Sequence, residues 1–284
     1  MYSLNCQGKL LDLSEPKVMG ILNFNPDSFF DGGRYNQLDA ALAQTEKMLQ
    51  EGAHIIDLGG ASSRPGADWV SEDEERKRVI PILARLAEAF PDTIFSIDTW
   101  RSTIAAEALD NGASILNDIS AWSLDPALPQ VLEKGTRPYI LMHMQGTPQS
   151  MQQAPEYTDV VQEVLDFFIE KVETLRARGV YDIVLDPGFG FGKTVAHNYQ
   201  LLNHLHVFTQ VLNLPVLAGI SRKSMICKML GVKPENALNG TTALHMIALQ
   251  QGARILRVHD VKEAVEVCKL WEETEKNKAI PKFG

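Results

Sequence analysis

The sequence predicts a TIM-type (β/α)8 barrel, an α/β fold with an N-terminal β-hairpin closing the barrel floor, and three observations carry that prediction. Eight short apolar runs recur along the chain, each ending in one or more polar residues. The runs are continuously apolar rather than alternating, as strands of a parallel sheet covered on both faces are. Helical stretches separate them, and eight strand–helix units most simply close into a barrel whose strand ends share one mouth. Polar residues far apart in the chain are therefore expected to meet there.

The hairpin is read over residues 1–14, with its turn at Gln7-Gly8. The first run, 17–22, leads into Asn23; the second, Ile55-Ile56, into Asp57; the third, 94–97, into Asp98; the fourth, Ile115-Leu116, into Asn117-Asp118. Runs five to eight are 139–142 into His143, 183–185 into Asp186, 216–220 into Ser221-Arg222-Lys223, and Ile255-Leu256 into Arg257-Val258-His259-Asp260. Between them, residues 36–50 place Leu38, Ala41, Leu42, Thr45, Met48 and Leu49 at i, i+3, i+4 spacing before Gly52. Ser71 and the acids after it read as a helix cap and first turn, followed by the stripe Val79, Ile82, Leu83, Leu86. The longest helix is expected over 157–178, with Val160, Val161, Val164, Leu165, Phe168, Val172 and Leu175 inward and Gly179 as its stop. Helices over 235–251 and 261–274 follow, and 277–284 is expected as a frayed tail.

No linker, charge block or compositional shift divides the 284 residues, so a single domain over 1–284 is expected. The net charge of −9 argues against nucleic acid, which needs a basic surface, yet leaves room for an anion in a local cationic pocket. Cys6, Cys227 and Cys268 form neither a C-x-x-C pair nor a disulfide framework. With no leader-like start and no apolar run near the roughly 18 residues of a membrane span, a cytoplasmic enzyme is expected.

Residues 23–35 are rich in turn formers, with Phe29 and Phe30 at neither helical nor strand spacing, and a mobile lid over the mouth is expected in preference to a plain rim connection. Gly188 to Thr194 fits neither nucleotide-loop pattern, because Pro187 and Lys193 stand where glycine is needed, and is read as a flexible loop after the sixth barrel strand. His143, His245 and His259 have no carboxylate at ligand spacing and are read as hydrogen-bonding groups rather than a metal site.

Several segments together resemble dihydropteroate synthase. They are Asn23-Phe24-Asn25-Pro26-Asp27-Ser28-Phe29-Phe30-Asp31-Gly32-Gly33, Gly59-Gly60-Ala61-Ser62-Ser63-Arg64-Pro65-Gly66, Ser96-Ile97-Asp98-Thr99, Asn117-Asp118-Ile119, Met142-His143-Met144-Gln145-Gly146-Thr147-Pro148, Asp186-Pro187-Gly188-Phe189-Gly190-Phe191-Gly192-Lys193, Gly219-Ile220-Ser221-Arg222-Lys223-Ser224 and Arg257-Val258-His259-Asp260. Each piece is weak alone; the ordered set, one at nearly every strand end, is specific.

The resemblance implies condensation of 6-hydroxymethyl-7,8-dihydropterin pyrophosphate with 4-aminobenzoate, giving 7,8-dihydropteroate and pyrophosphate, with Mg²⁺ on Asn23. A pterin edge presents N–H groups side by side, which carboxylates accept well. Asp98 and Asp186, with Asn117 and Lys223, suit that edge; Met142, Ile119 and Phe191 would wall the slot, beside Gly219. Asn23, Ser63, Arg257 and His259 are expected at the pyrophosphate, where negative charge grows as the C–O bond ionises. Phe29, Arg64, Pro65, Phe191, Lys223 and Ser224 are expected around the aminobenzoate. Asn23, Arg257, His259 and Lys223 would carry the chemistry, and no dedicated general base is evident. Sulfonamides share the aminobenzoate ring and acidic head, so competitive inhibition is expected, and the family implies a homodimer.

The sequence departs from the family at Asn25 and Ser63, where Thr is usual, and at Ala61, where Glu is usual. These touch the lid and second loop and bear on drug response rather than on the reaction. Two rival readings stand beside this one. A pterin-dependent methyltransferase domain would not be expected to carry Ser221 to Ser224 with Arg257 to His259. A catalytically silent pterin-binding paralogue would keep Asp98, Asn117 and Asp186 and fail at the lid.

Overall fold

Strands β1 (Ser3–Cys6) and β2 (Lys9–Asp12) form the expected antiparallel hairpin, paired from Ser3↔Asp12 to Cys6↔Lys9. Gln7 and Gly8 both hold positive φ, 54° and 88°, the geometry that a two-residue hairpin turn needs to match strand twist. The Gln7 side-chain amide donates to the Leu109 and Ala113 carbonyls, tying the turn to the barrel. The computed structural model describes residues 2–24, 33–61, 70–133, 137–151 and 155–278, the side chains of 33–36 set aside.

The barrel strands are β3 (Lys17–Asn23), β4 (Ile55–Gly59), β5 (Ile94–Asp98), β6 (Ala113–Asp118), β7 (Tyr139–Met142), β8 (Ile183–Asp186), β9 (Val216–Ala218) and β10 (Ala253–Val258). All pair in parallel, and β10 pairs with β3 to close the barrel. Every predicted run is thus a strand. The helices are α1 (Gly33–Gln50), α2 (Glu72–Ala89), α3 (Ser102–Asp110), α4 (Leu128–Leu132), α5 (Val160–Ala177), α6 (Val195–Asn203), α7 (Leu205–Leu212), α8 (Ser224–Leu230), α9 (Leu238–Gln250) and α10 (Val261–Lys276).

Strand parity divides the apolar residues into two bodies. Val18, Leu22, Ile56, Leu58, Phe95, Ile97, Leu116, Leu141, Leu185 and Leu256 face outward and pack with the helices. Met19, Ile55, Ile94, Ile115, Ile140, Val184, Leu217 and Ile255, one from each strand, meet inside and are covered by Leu4, Cys6, Leu11 and Leu13 of the hairpin. The floor is therefore a closed apolar plug.

Four expectations shift at their edges. The helix expected from 36 begins at Gly33. The helix expected as the longest begins at Val160 rather than 157, because Asp159 caps it by accepting from the Val161 and Gln162 N–H groups, and at 18 residues it only equals α1 and α2. The stretch 235–251 is a 3₁₀ turn at Pro234–Asn236 followed by α9. Of the tail, Asn277 and Lys278 end the described chain and 279–284 lie outside it. The Ser71 cap holds as read, its hydroxyl accepting from the Glu74 N–H.

Candidate active site

Two residues beyond each floor position the same inward parity reaches the mouth, at Ile21, Asp57, Ser96, Asn117, Met142, Asp186, Gly219 and Arg257. Five of those eight positions carry polar side chains. The backbone is the same; the chemistry changes because the hairpin seals one end only.

Arg257 lies at the centre of one half. Its Nε donates to Asp57 Oδ2 at 2.7 Å and an Nη to Asp98 Oδ2 at 2.7 Å. Asn117 Nδ2 donates to the same Asp57 oxygen at 3.0 Å. That bond directs the other end of the amide, its carbonyl oxygen, elsewhere and makes it an acceptor for a ligand. Burial raises the Asp98 pKa against the pull of Arg257. Burial also opposes charge on Arg257, but Asp57 and Asp98 outweigh it and hold the guanidinium above its ordinary range. The mouth thus keeps a permanent cation in a fixed orientation.

Asp186 and Lys223 form the other half. Asp186 Oδ1 accepts from the Gly188 N–H at 2.8 Å. Its Oδ2 and Lys223 Nζ lie 3.8 and 3.9 Å from the point where a Cβ on Gly219 would stand, so glycine leaves the space between them clear. Lys223 Nζ donates to the Phe189 carbonyl and sits 4.7 Å above the Phe191 ring. Burial raises the Asp186 pKa and pushes Lys223 down to about 8, each opposed by the other's charge. Met142, paired with Asp186 across β7 and β8, clusters with Trp100 and Ile119, and Ala61, Leu124, Met144 and Phe191 pack on them. The three expected wall residues do share one face. Ala61 is part of that apolar surface.

Asn23 ends β3 with its side-chain oxygen over Gly59, 2.6 Å from a Cβ there. His259 falls just past β10; its Nδ1 and backbone N–H both reach Ser221 Oγ, at 3.0 and 3.2 Å. Lys223 is the N-cap of α8 and Ser224 its first residue. Ser63, Arg64, Pro65, Phe29 and Asn25, the last in the stretch where a lid is expected, lie outside the described residues.

Sequence reasoning missed Asp57, Trp100, Ser221 and Lys193. Asp57 and Ser221 had the same signal as Asp98 and Asp186, a polar residue ending an apolar run. The loop after β8, expected to be flexible, is gathered around the buried Lys193 ammonium. His143 is a hydrogen-bonding group, as expected, with Lys193 as its partner at 2.9 Å, whereas His245, expected to bond likewise, is buried on α9 with no partner at either ring nitrogen. Among the described residues no group of three or more His, Cys, Asp or Glu is placed to hold a metal. No helix among them is long and apolar enough to cross a membrane.

This arrangement has close counterparts. The family model described as pterin binding enzyme matches residues 19–259. The dihydropteroate synthase of Escherichia coli K12 is 49% identical over 273 residues, 95% of this chain and 96% of that protein. A Yersinia pestis dihydropteroate synthase solved with a sulfonamide drug superposes with a TM-score of 0.91 at 46% identity, over 98% of this chain and 100% of that one. A Xanthomonas albilineans dihydropteroate synthase in complex with 7,8-dihydropteroate superposes with a TM-score of 0.87 at 38% identity, over 99% and 100%. By the barrel, the converging strand-end groups and these matches, the chain belongs to the dihydropteroate synthase family of pterin-binding enzymes.

Proposed function

We propose that the mouth condenses 6-hydroxymethyl-7,8-dihydropterin pyrophosphate with 4-aminobenzoate, releasing pyrophosphate and 7,8-dihydropteroate. The observation carrying this reading is the convergence of Asp186, Lys223, Asn117, Asp98 and Arg257 on one barrel mouth beside an apolar wall. Asp186 Oδ2 and the Asn117 carbonyl oxygen accept pterin N–H groups, and Lys223 donates to the ring carbonyl and a ring nitrogen. The ring lies against Met142 and Ile119, with Gly219 leaving room for its edge.

The pterin C–O bond breaks with its electron pair leaving on pyrophosphate, and the ring delocalises the positive charge left on the methylene carbon. The neutral aniline nitrogen then forms the C–N bond and loses its extra proton to solvent or to the departing anion. The protein's share is to stabilise the leaving charge. Arg257 supplies N–H groups beyond the two held by Asp57 and Asp98, and His259 and Ser63 supply others. Arg257 is shared between carboxylates, so its orientation is fixed and its net charge partly offset. That favours a metal-bound pyrophosphate. Asn23 offers one neutral oxygen, which suits Mg²⁺ carried chiefly on phosphate oxygens and water, and Mg²⁺ would supply countercharge there. Phe191, Phe29, Pro65, Arg64, Lys223 and Ser224 receive the aminobenzoate; sulfonamides compete for that place. A cytoplasmic homodimer is the expected form.

Steady-state pyrophosphate release from the two substrates with Mg²⁺ tests the reading. Release that depends on aminobenzoate, and weaker binding of the pterin pyrophosphate with chelator, are expected. No release at saturation would leave a silent pterin-binding protein, and indifference to chelator would remove the metal.

A further inference from the structure

Lys193 is buried at 3% exposure and bonds to none of the pterin and pyrophosphate side chains named above, although it feels the charges of Asp186 and Lys223, and its four hydrogen-bond partners are all neutral acceptors. Nζ is 2.9 Å from His143 Nδ1, 3.3 Å from the His143 carbonyl, 3.1 Å from the Gly188 carbonyl and 3.0 Å from the Phe191 carbonyl. Burial pushes the Lys193 pKa down to about 7 against the pull of Asp186, so the ammonium is the form at and below that value; it has only donors, and toward it His143 accepts at Nδ1 and carries its proton on Nε2. Burial, with Lys193 charge beside it, pushes the His143 pKa down to about 2, in keeping with a neutral ring. The ammonium therefore occupies a cage of oxygens and one nitrogen, as a bound monovalent cation would.

The cage joins two loops that approach backbone to backbone. A Cβ on Gly188 would lie 1.9 Å from the His143 carbonyl oxygen, and one on Gly192 would lie 2.5 Å from that of Gln145. Both glycines hold positive φ, 69° and 63°. Carbonyl groups pressed together this closely repel one another unless a cation lies among them. The same few residues present their other groups to the mouth: the Phe189 carbonyl accepts from Lys223, and the Phe191 ring lies under its ammonium.

We propose that Lys193 is a positioning residue for the arylamine side of the site, clamping the loop after β8 so that Phe189 and Phe191 bracket Lys223. It acts through Phe191 and touches no substrate. The proposal rests on the reading of Phe191 and Lys223 as aminobenzoate groups, and its test keeps the two separable.

The experiment is a double-mutant cycle of Lys193→Met and Phe191→Ala, reading KM for aminobenzoate, kcat, and calorimetric affinity for a pterin alone. Lys193→Met is expected to raise the aminobenzoate KM about tenfold and to weaken pterin affinity by clearly less, because Phe191 and Lys223 also meet the pterin. The double variant is expected to be no worse than Phe191→Ala. Lys193→Arg keeps the charge, but its planar fork cannot meet four converging acceptors, so a similar KM rise with a folded protein is expected. It serves where the methionine variant does not fold. Additive effects in the cycle, an unchanged KM in a folded variant, or equal losses of pterin and aminobenzoate binding would overturn the proposal. A normal aminobenzoate KM in Phe191→Ala alone would instead remove the underlying arylamine assignment.

Discussion

Along β4, Ile55 plugs the floor and Asp57, two residues on, holds Arg257 in the mouth; along β8, Val184 and Asp186 divide in the same way, and along β10, Ile255 and Arg257. The strand rises only about 6.6 Å between the members of each pair. What differs is the cover. The hairpin excludes water from the floor, so any polar group there lacks a partner, whereas the mouth offers carboxylates, amides and incoming ligand. Even so, the mouth layer retains strain of its own: Asp57 Oδ1 and Ser96 Oγ, buried on neighbouring strands, have no protein partner. The helix layer carries others, at Thr45 Oγ1, both His245 ring nitrogens and Trp271 Nε1, so such groups do not by themselves mark the mouth. The lower layer of this barrel serves stability and the upper layer chemistry.

The largest expected effect comes from breaking that division at the floor. Ile115→Asn places an amide in the sealed plug and is expected to cost about 3 kcal/mol or more of stability, read by urea unfolding. In the mouth, Arg257→Ala strips Asp57 and Asp98 of their counter-charge, so a loss of stability is expected beside a turnover lowered by about 3 kcal/mol of barrier, roughly a hundredfold or more. A small rate change would mean that the leaving group lies elsewhere. Asp186→Asn replaces one acceptor by a donor, and calorimetry is expected to show pterin affinity weaker by about 1.5–3 kcal/mol. The mildest effect is on pH. Burial lowers the Lys223 pKa to about 8, so its charged form is lost as pH rises through that value. A basic limb in kcat/KM near there is expected, and Lys223→Arg should move it out of range.

Much of this was legible in the sequence. Each apolar run became a strand, because a strand buried on both faces has to be continuously apolar. The carboxylates ending those runs followed from the same reasoning, and Asp57 was present in the pattern without being given a role. Two things were not legible. One was pairing across the mouth: Arg257 was read toward pyrophosphate and Asp98 toward pterin, yet they bond to each other, 159 residues apart in sequence. Spacing along a strand reports which face a residue occupies but not its neighbour across a barrel. The other was Lys193, which follows a glycine-rich stretch that looks slack in one dimension. Two of its positive-φ glycines, Gly188 and Gly192, allow the close backbone approach that the ammonium then holds.

The account depends most on the upper inward layer being the pterin slot, and a crystal structure with a bound pterin tests that directly. The expected result has the N–H edge of the ring on Asp186 and Asn117, its carbonyl toward Lys223, and its face on Met142 and Ile119. A pterin seated outside the ring of strand ends, or with its edge away from Asp186, would contradict it.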